Sequence, residues 1–322
     1  MKKNLIIVIA GPTASGKTSL GIDIALALYG EIISADSMQI YKKMDIATAK
    51  PTDEERSIVK HHLIDFLDIG EEFSVAKYKE LAIQSIEDIL SRKKTPIIVG
   101  GTGLYIDCII NNTEFFDYEK NDVRETLEKE AEEKGIDALF EQLKKVDIES
   151  ANTLNINDKK RIIRALEVYY STGKTITQQK KESHLNESPY RFCVIGLNAH
   201  NREFLYNRIN QRVDIMLKDG LLEEAQSFFS SDASLTAKQA IGYKELKPYF
   251  DKEISLADAV ENLKRETRRY AKRQLTWFRK TKDINWIYID SGRDILNDCL
   301  KIIDKYKEWV YWSKKTAKKP LL

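Results

Sequence analysis

The segment Gly11-Pro-Thr-Ala-Ser-Gly-Lys-Thr18 follows directly on the apolar run Leu5–Ala10, and this junction constrains the fold more than any other part of the chain. A short, continuously apolar, β-branched run reads as a strand buried on both faces of a parallel sheet. The octapeptide matches G-x-x-x-x-G-K-[ST] without deviation, and it stands between that strand and a helical pattern running from Lys17 to Leu28. Gly11 and Gly16 let the backbone wrap an anion, and Pro12, Thr13, Ala14 and Ser15 complete the loop, whose successive N–H groups point inward. The helix N-terminus adds partial positive charge. Lys17 supplies a point charge to the terminal phosphate and Thr18 a hydroxyl ligand for Mg²⁺.

Further strands are predicted at Glu31–Ser34 and Pro96–Val99, with a helix over Phe73–Leu90 between them. Alternation at this spacing predicts a doubly wound α/β domain, a P-loop NTPase-like parallel sheet. The character changes after about Asn112. Residues 114–181 are highly charged and helix-prone, without a buried strand, and Phe192–Leu197 then reads as a return to the sheet. The expected organisation is a first part of the core over 1–113, a mostly helical insertion over 114–191, and a return over 192–322. The last part carries long helical patterns at Arg202–Ser230 and Leu256–Lys282, then a basic, frayed tail from Lys314.

In an open α/β sheet the carboxyl ends of the strands line the ligand crevice. Asp36, after the second strand, and Thr102, in Gly-Gly-Thr-Gly after the third, are therefore expected to face the phosphate loop. The third strand ends without the Asp that would hold a metal or activate water, which weakens an ATPase reading. Asp36 is then the best-placed carboxylate to accept a proton, although a turn or cap role is equally consistent with its position. A tight turn is likewise an equal alternative for Thr102. The motif by itself leaves kinases, ATPases and transferases open.

The formal net charge is only +2 over 322 residues, so nucleic-acid contact has to come from local clusters. One cluster is Lys159-Lys160-Arg161 with Arg164. Another is 264–282, with nine Lys or Arg against the single acidic Glu266; here Arg265, Arg269 and Arg273 repeat at i, i+4. Trp277 and Phe278 could stack bases, but packing in the interior is the expectation for each. Cys108, Cys193 and Cys299 form no C-x-x-C pair, which excludes a zinc ribbon or finger and gives no disulfide framework. His61-His62 is expected to be structural, since adjacent histidines point apart and no third ligand is expected nearby. No apolar run reaches membrane-spanning length. The expectation is a cytoplasmic monomer.

Eight ordered segments give the chain a close resemblance to the bacterial-type tRNA dimethylallyltransferases. They are Gly11–Ser19, Ser34–Tyr41, Met44-Asp45 with Thr48–Pro51, His61–Asp65, Val99–Tyr105, Arg161 with Arg164–Val168, Ala240–Tyr243 and Lys272–Trp277. The resemblance implies transfer of a dimethylallyl group from its diphosphate to N6 of the adenosine at tRNA position 37, beside the anticodon, with release of pyrophosphate. It implies that the loop holds the donor's diphosphate together with Mg²⁺, rather than a nucleoside triphosphate. Asp36 would orient N6 and accept its proton, and Thr102 would bond near the same nitrogen. Arg212 would touch the pyrophosphate, with Arg208 one helical turn away as a substitute.

The target adenosine must leave its stack to be reached. The resemblance assigns its recognition to Asp36, Ser37, Met38 and Gln39. It places tRNA contacts at Thr102, Arg124, Lys160, Arg161 and Arg164, and the basic row Arg265, Arg269 and Arg273 would grip phosphates of the anticodon stem-loop. Tyr243 is expected to be packed near the tRNA surface. Two departures stand out. Ala47 replaces a common Gly, which matters only where positive φ is required, and Glu114–Asp117 lacks the expected proline-rich character. The chain has no Cys/His finger of the eukaryotic kind.

Overall fold

The computed structural model describes residues 3–115, 122–183 and 187–316. Six strands, all parallel, form one sheet: β1 (Asn4–Ala10), β2 (Gly30–Ser34), β3 (His61–His62), β4 (Thr95–Gly100), β5 (Tyr190–Asn198) and β6 (Asn285–Tyr288), in the order β3-β2-β4-β1-β5-β6. The central position of β1 explains its apolar composition. Ile6 to Ala10 are fully buried, because both faces are covered and both edges are paired. Each such side chain removed from water contributes about 1.5–3 kcal/mol.

Helices alternate with the strands. In the first part they are α1 (Lys17–Ala27), α2 (Asp53–Ile58), α3 (Val75–Ser91) and α4 (Gly103–Ile110). Then come α5 (Val123–Lys134), α6 (Ile136–Val146), α7 (Ile148–Thr153), α8 (Lys159–Thr172) and α9 (Ile176–Ser183). The last group is α10 (Arg202–Lys218), α11 (Leu221–Phe229), α12 (Tyr243–Phe250), α13 (Leu256–Phe278) and α14 (Ile295–Thr316). The chain divides into two compact units, Met1–Ile109 with Pro189–Leu322, and Ile110–Ser188. The second unit is all helical among its described residues, around a core that includes Leu127, Leu139, Phe140, Leu143, Ile162 and Leu166. No helix among the described residues is long and apolar enough to cross a membrane.

Several expectations need correction. The pattern over Arg202–Ser230 is two helices, broken at Asp219-Gly220, where Gly220 takes φ +102°. β5 starts at Tyr190, two residues inside the span read as insertion, because Asn4 and Leu5 of β1 extend the ladder to Tyr190 and Arg191. Helix α13 stops at Phe278 rather than Lys282. Strands β3 and β6 went unread: one is two residues long, and the other is a four-residue, half-buried edge strand whose Trp286-Ile287-Tyr288 run is short. The basic tail beyond residue 316 and half of the segment 114–117 lie outside the described residues.

The reading of His61-His62 as lacking other ligands is also corrected. His62 Nε2 lies 2.7 Å from Glu31 Oε2, with Asp88 close by. The cluster is already neutralised by cations rather than open to a metal. Arg92 bonds both Glu31 oxygens and Asp88 (2.7 Å), and Lys94 Nζ reaches Glu31 Oε1 at 2.8 Å. These partners, Arg92 foremost, hold the 2 % exposed Glu31 carboxyl well below the usual carboxylate range. A carboxylate with a depressed folded-state pKa stabilises the fold above its unfolded pKa, and the benefit fades as pH falls below that point. Glu31→Gln is expected to cost roughly 2–3 kcal/mol at pH 7, below the usual loss for a broken buried pair because Arg92 and Lys94 still reach water. Urea unfolding should show the gap between the two proteins shrinking below about pH 4.5. A gap that stays constant down to pH 3 would rule this account out.

Candidate active site

The loop after β1 is shaped as an anion cradle before any ligand arrives. Gly11 adopts φ +152° and Gly16 φ +88°, and a Cβ on Gly11 would lie 2.9 Å from the Leu197 carbonyl. Pro12 places its carbonyl 2.6 Å from Lys17 Nζ. Ala14 sits at φ +62°, a conformation costly for a non-glycine residue, and Arg208 Nε fixes its carbonyl at 2.8 Å. Gly16 leaves the start of α1 without a side-chain cap, so the first-turn amides of Lys17 and Thr18 stay open to a ligand. The buried Ser15 hydroxyl finds no partner among the described residues.

Beside the cradle, the ends of β2 and β4 nearly touch. A Cβ on Gly100 would fall 2.1 Å from the Ala35 carbonyl, so only glycine permits the approach. Thr102 N–H then bonds that carbonyl (3.0 Å), and Thr102 Oγ1 accepts from Ser37 N–H (3.0 Å) and donates to Ser37 Oγ (3.3 Å). Asp36 Oδ1 accepts from Met38 N–H at 2.9 Å. Asp36 is therefore a turn residue and a cavity residue at once, so its two sequence readings do not compete. Burial pushes its carboxyl pKa up, against the lowering pull of the Met38 amide and the Lys17 charge. Gln39 is spent on scaffolding: it accepts from Ser34 and donates to the Thr48 and Ala49 carbonyls, both at 3.1 Å. It has no donor left for a base in this arrangement.

Helix α10 supplies the remaining cations. Its buried stripe, Leu205, Ile209 and Val213, fixes the rotation. That rotation turns Arg212 into the cavity, with Nη1 3.4 Å from Thr13 Oγ1. Arg208 points to the back of the loop and holds Ala14 from outside, beside a separate shallow hollow. A cavity of about 290 Å³ opens above, walled by the loop, the β2 and β4 ends, α10 and α13. Asp36 is the one carboxylate in its wall among the described residues. Burial, then the Arg212 charge, drops the Lys17 ammonium from its ordinary value to about 7, with Asp36 opposing. The cavity wall thus carries more positive than negative charge.

Helix α13 faces two ways. Thr267, Tyr270 and Gln274, at i, i+3 and i+7, line the cavity. Outward, Arg265 bonds Asn262 and Arg269 bonds Glu266, both at 2.6 Å, while Arg273 lies over the Tyr270 ring at the cavity wall. Phe278 is fully buried as expected, but Trp277 remains 37% exposed; its Nε1 donates to Asp107 Oδ2 at 2.7 Å over Gly103. Tyr243 is fully buried, stacked 4.1 Å from Phe228, with its hydroxyl on Glu224.

Glu224 of α11 also accepts the amides of Asp45, Ile46 and Ala47 at 2.8–2.9 Å, clamping the loop that closes one side of the cavity. Ala47 stays out of the positive-φ region, and its methyl rests against Gly242, where a Cβ would sit only 2.9 Å away. The Ala-for-Gly departure is thus absorbed by a glycine from another element.

Within the second unit, Arg124 (α5) and Arg164 (α8) converge on Glu167, at 3.5 and 3.1 Å. Lys160 and Arg161 are exposed in the first turn of α8, and Arg161 pairs with Asp158. Met38 packs partly buried against the Ile40–Tyr41 cluster. Sequence reasoning missed Tyr270, Gln274 and Glu224. For the first two a signal existed, because polar residues continue the buried stripe Leu263, Ala271, Phe278 of an otherwise basic helix.

Comparison with known proteins places this geometry. The family model described as IPP transferase matches residues 39–281. A tRNA dimethylallyltransferase of Acetivibrio thermocellus is 50% identical over 308 residues, 95% of this chain and 97% of the relative. One from Halothermothrix orenii is 50% identical over 290 residues, 89% and 88% of the two chains. The solved full-length tRNA isopentenylpyrophosphate transferase of Bacillus halodurans aligns with a TM-score of 0.72 at 40% identity, covering 99% of this chain and 100% of that one. A eukaryotic dimethylallyltransferase, solved in snapshots of its action on tRNA, gives a TM-score of 0.78 at 30% identity over 96% and 80%.

Proposed function

Since this chain belongs to the IPP transferase family, we propose that it transfers a dimethylallyl group from dimethylallyl diphosphate to tRNA, at N6 of the adenosine at position 37. The observation that carries the reading is the juxtaposition in one cavity of an open anion cradle and the lone wall carboxylate, Asp36. In the reaction N6 attacks the allylic carbon, the bond from that carbon to the diphosphate oxygen breaks, and pyrophosphate departs with the electron pair. Negative charge grows on the leaving group, and the loop amides, Lys17 and Arg212 stand where they would stabilise it. The nitrogen becomes acidic as it bonds to carbon, and its proton passes to the Asp36 carboxylate, which burial makes more basic. Thr102, tied to Ser37, would orient the amine.

The residues fit a magnesium ion. The Thr18 hydroxyl lines the cavity and bonds no other described residue, and Mg²⁺ commonly takes one or two protein ligands, keeping phosphate oxygens and water for the rest. When bound, it would neutralise charge on the diphosphate. Arg265, Arg269 and Arg273 would grip the anticodon stem-loop, as would Arg124, Lys160, Arg161 and Arg164. A monomer working in the cytoplasm, where tRNA is modified, completes the reading.

The test is incubation with Mg²⁺, labelled dimethylallyl diphosphate and unmodified tRNA, followed by nucleoside analysis. Label in a tRNA adenosine is expected. No label with any tRNA, accompanied by ATP turnover in the same preparation, would favour a kinase.

A further inference from the structure

Gln274 sits among cations on α13 yet is only 5% exposed. Both ends of its carboxamide are committed to backbone on opposite walls of the site. Its Oε1 accepts from Thr13 N–H at 2.8 Å, and its Nε2 donates to the Gly101 carbonyl at 3.0 Å. Thr13 belongs to the anion cradle, and Gly101 immediately precedes Thr102. A side chain reaching one of them would only fasten a helix to a loop. One reaching both sets the spacing between the cradle and the strand-end loop that carries Thr102.

The chemistry of the contact is specific to glutamine. It needs one acceptor and one donor on a single rigid plane, at the reach of two methylenes. Glutamate would turn a second acceptor toward the Gly101 carbonyl, asparagine would be too short, and an apolar residue would leave a buried amide and carbonyl unpaired. The surroundings are cut to fit as well: a Cβ on Gly101 would lie 2.2 Å from Gln274 Nε2. The helix behind the carboxamide carries Arg269 five residues earlier on its exposed side and Arg273 next to it in sequence.

We propose that Gln274 is a positioning residue that holds the diphosphate cradle in register with the acceptor side of the cavity. The inference rests on the proposed reaction and deepens it; Gln274 itself touches neither reacting group.

The experiment compares wild type with Gln274→Met, which keeps the volume, Gln274→Glu, and Gly101→Ala, which displaces the carboxamide from the other side. Steady-state transfer with dimethylallyl diphosphate and tRNA is measured beside thermal melting and calorimetric binding of magnesium pyrophosphate. All three variants are expected to raise the KM for the donor about 10-fold and to weaken pyrophosphate binding similarly, the loss of about one hydrogen bond's worth of order. The kcat should fall roughly 10- to 100-fold through misplacement, while the KM for tRNA stays within about 2-fold of wild type. Lower melting temperatures with unchanged kinetic constants would reduce Gln274 to packing and overturn the proposal. A rise confined to the KM for tRNA would overturn it too. Should wild type transfer no label, the reaction is wrong, yet pyrophosphate binding still decides whether Gln274 orders the cradle.

Discussion

Asp36→Ala is expected to lower the rate of prenyl transfer by about 10²- to 10⁴-fold, the usual contribution of a positioned general base. The substitution removes the turn bond to the Met38 amide as well as the proton acceptor, so Asp36→Asn is the sharper experiment. Asparagine Oδ1 can still accept from Met38 N–H, and the turn survives, but the amide takes no proton. If proton transfer is the function, both variants are nearly inactive and both bind pyrophosphate as wild type does. A fully active Asp36→Asn would leave only the turn role. The pH profile gives a second check. The base works ionised, so wild-type turnover should decline as pH falls through its raised pKa, and no such limb should survive in the residual activity of Asp36→Asn.

Lys17→Met should be the next most damaging change. Removing one preorganised charge from the site of a developing anion costs on the order of 10²- to 10³-fold in kcat, and the affinity for inorganic pyrophosphate should drop at least 10-fold. The free protein should respond in the opposite sense. Burial and the Arg212 charge lower the Lys17 pKa to about 7 in the folded chain. Between there and its ordinary value near 10.5 the unfolded chain holds the extra proton, so the position weakens the fold at neutral pH and weakens it less as pH rises. Lys17→Met should therefore melt no lower than wild type, and higher at pH 7. Unchanged pyrophosphate affinity in the variant would refute the assignment of the cradle.

How much of this was legible in the residues depends on how local each feature is. The β1–loop–α1 unit is specified within a span of two dozen residues by burial pattern, glycine placement and a missing cap, and it stands as read. The strand-end loops were also legible, since Asp36 and Thr102 directly follow apolar runs. The far walls of the cavity were not. Thr13 and Gln274 meet across 261 positions, and no periodicity encodes which face of α13 meets which loop. The choice between Arg208 and Arg212 was open for the same reason. Both lie on one helix a turn apart, and only the packing of Leu205, Ile209 and Val213 decides which one enters the cavity. The Glu224 clamp carries no motif at all, because its acceptors' partners are backbone amides whose side chains are free to vary.

The strand order has a consequence for the making of the protein. Every residue of β1 has a register partner on β5, beginning with Asn4 opposite Tyr190. On a ribosome moving at about 5–20 residues per second, roughly 10–40 s separate the emergence of the two strands. Until β4 emerges both edges of this apolar strand are unanswered, and from then until β5 emerges one still is; such edges recruit foreign strands. The second unit, Ile110–Ser188, is synthesised during that time and carries a core of its own. The nascent chain thus needs a chaperone until β5 emerges. Ribosome-bound chains long enough to expose β4 but not β5 should be ones that holdases retain.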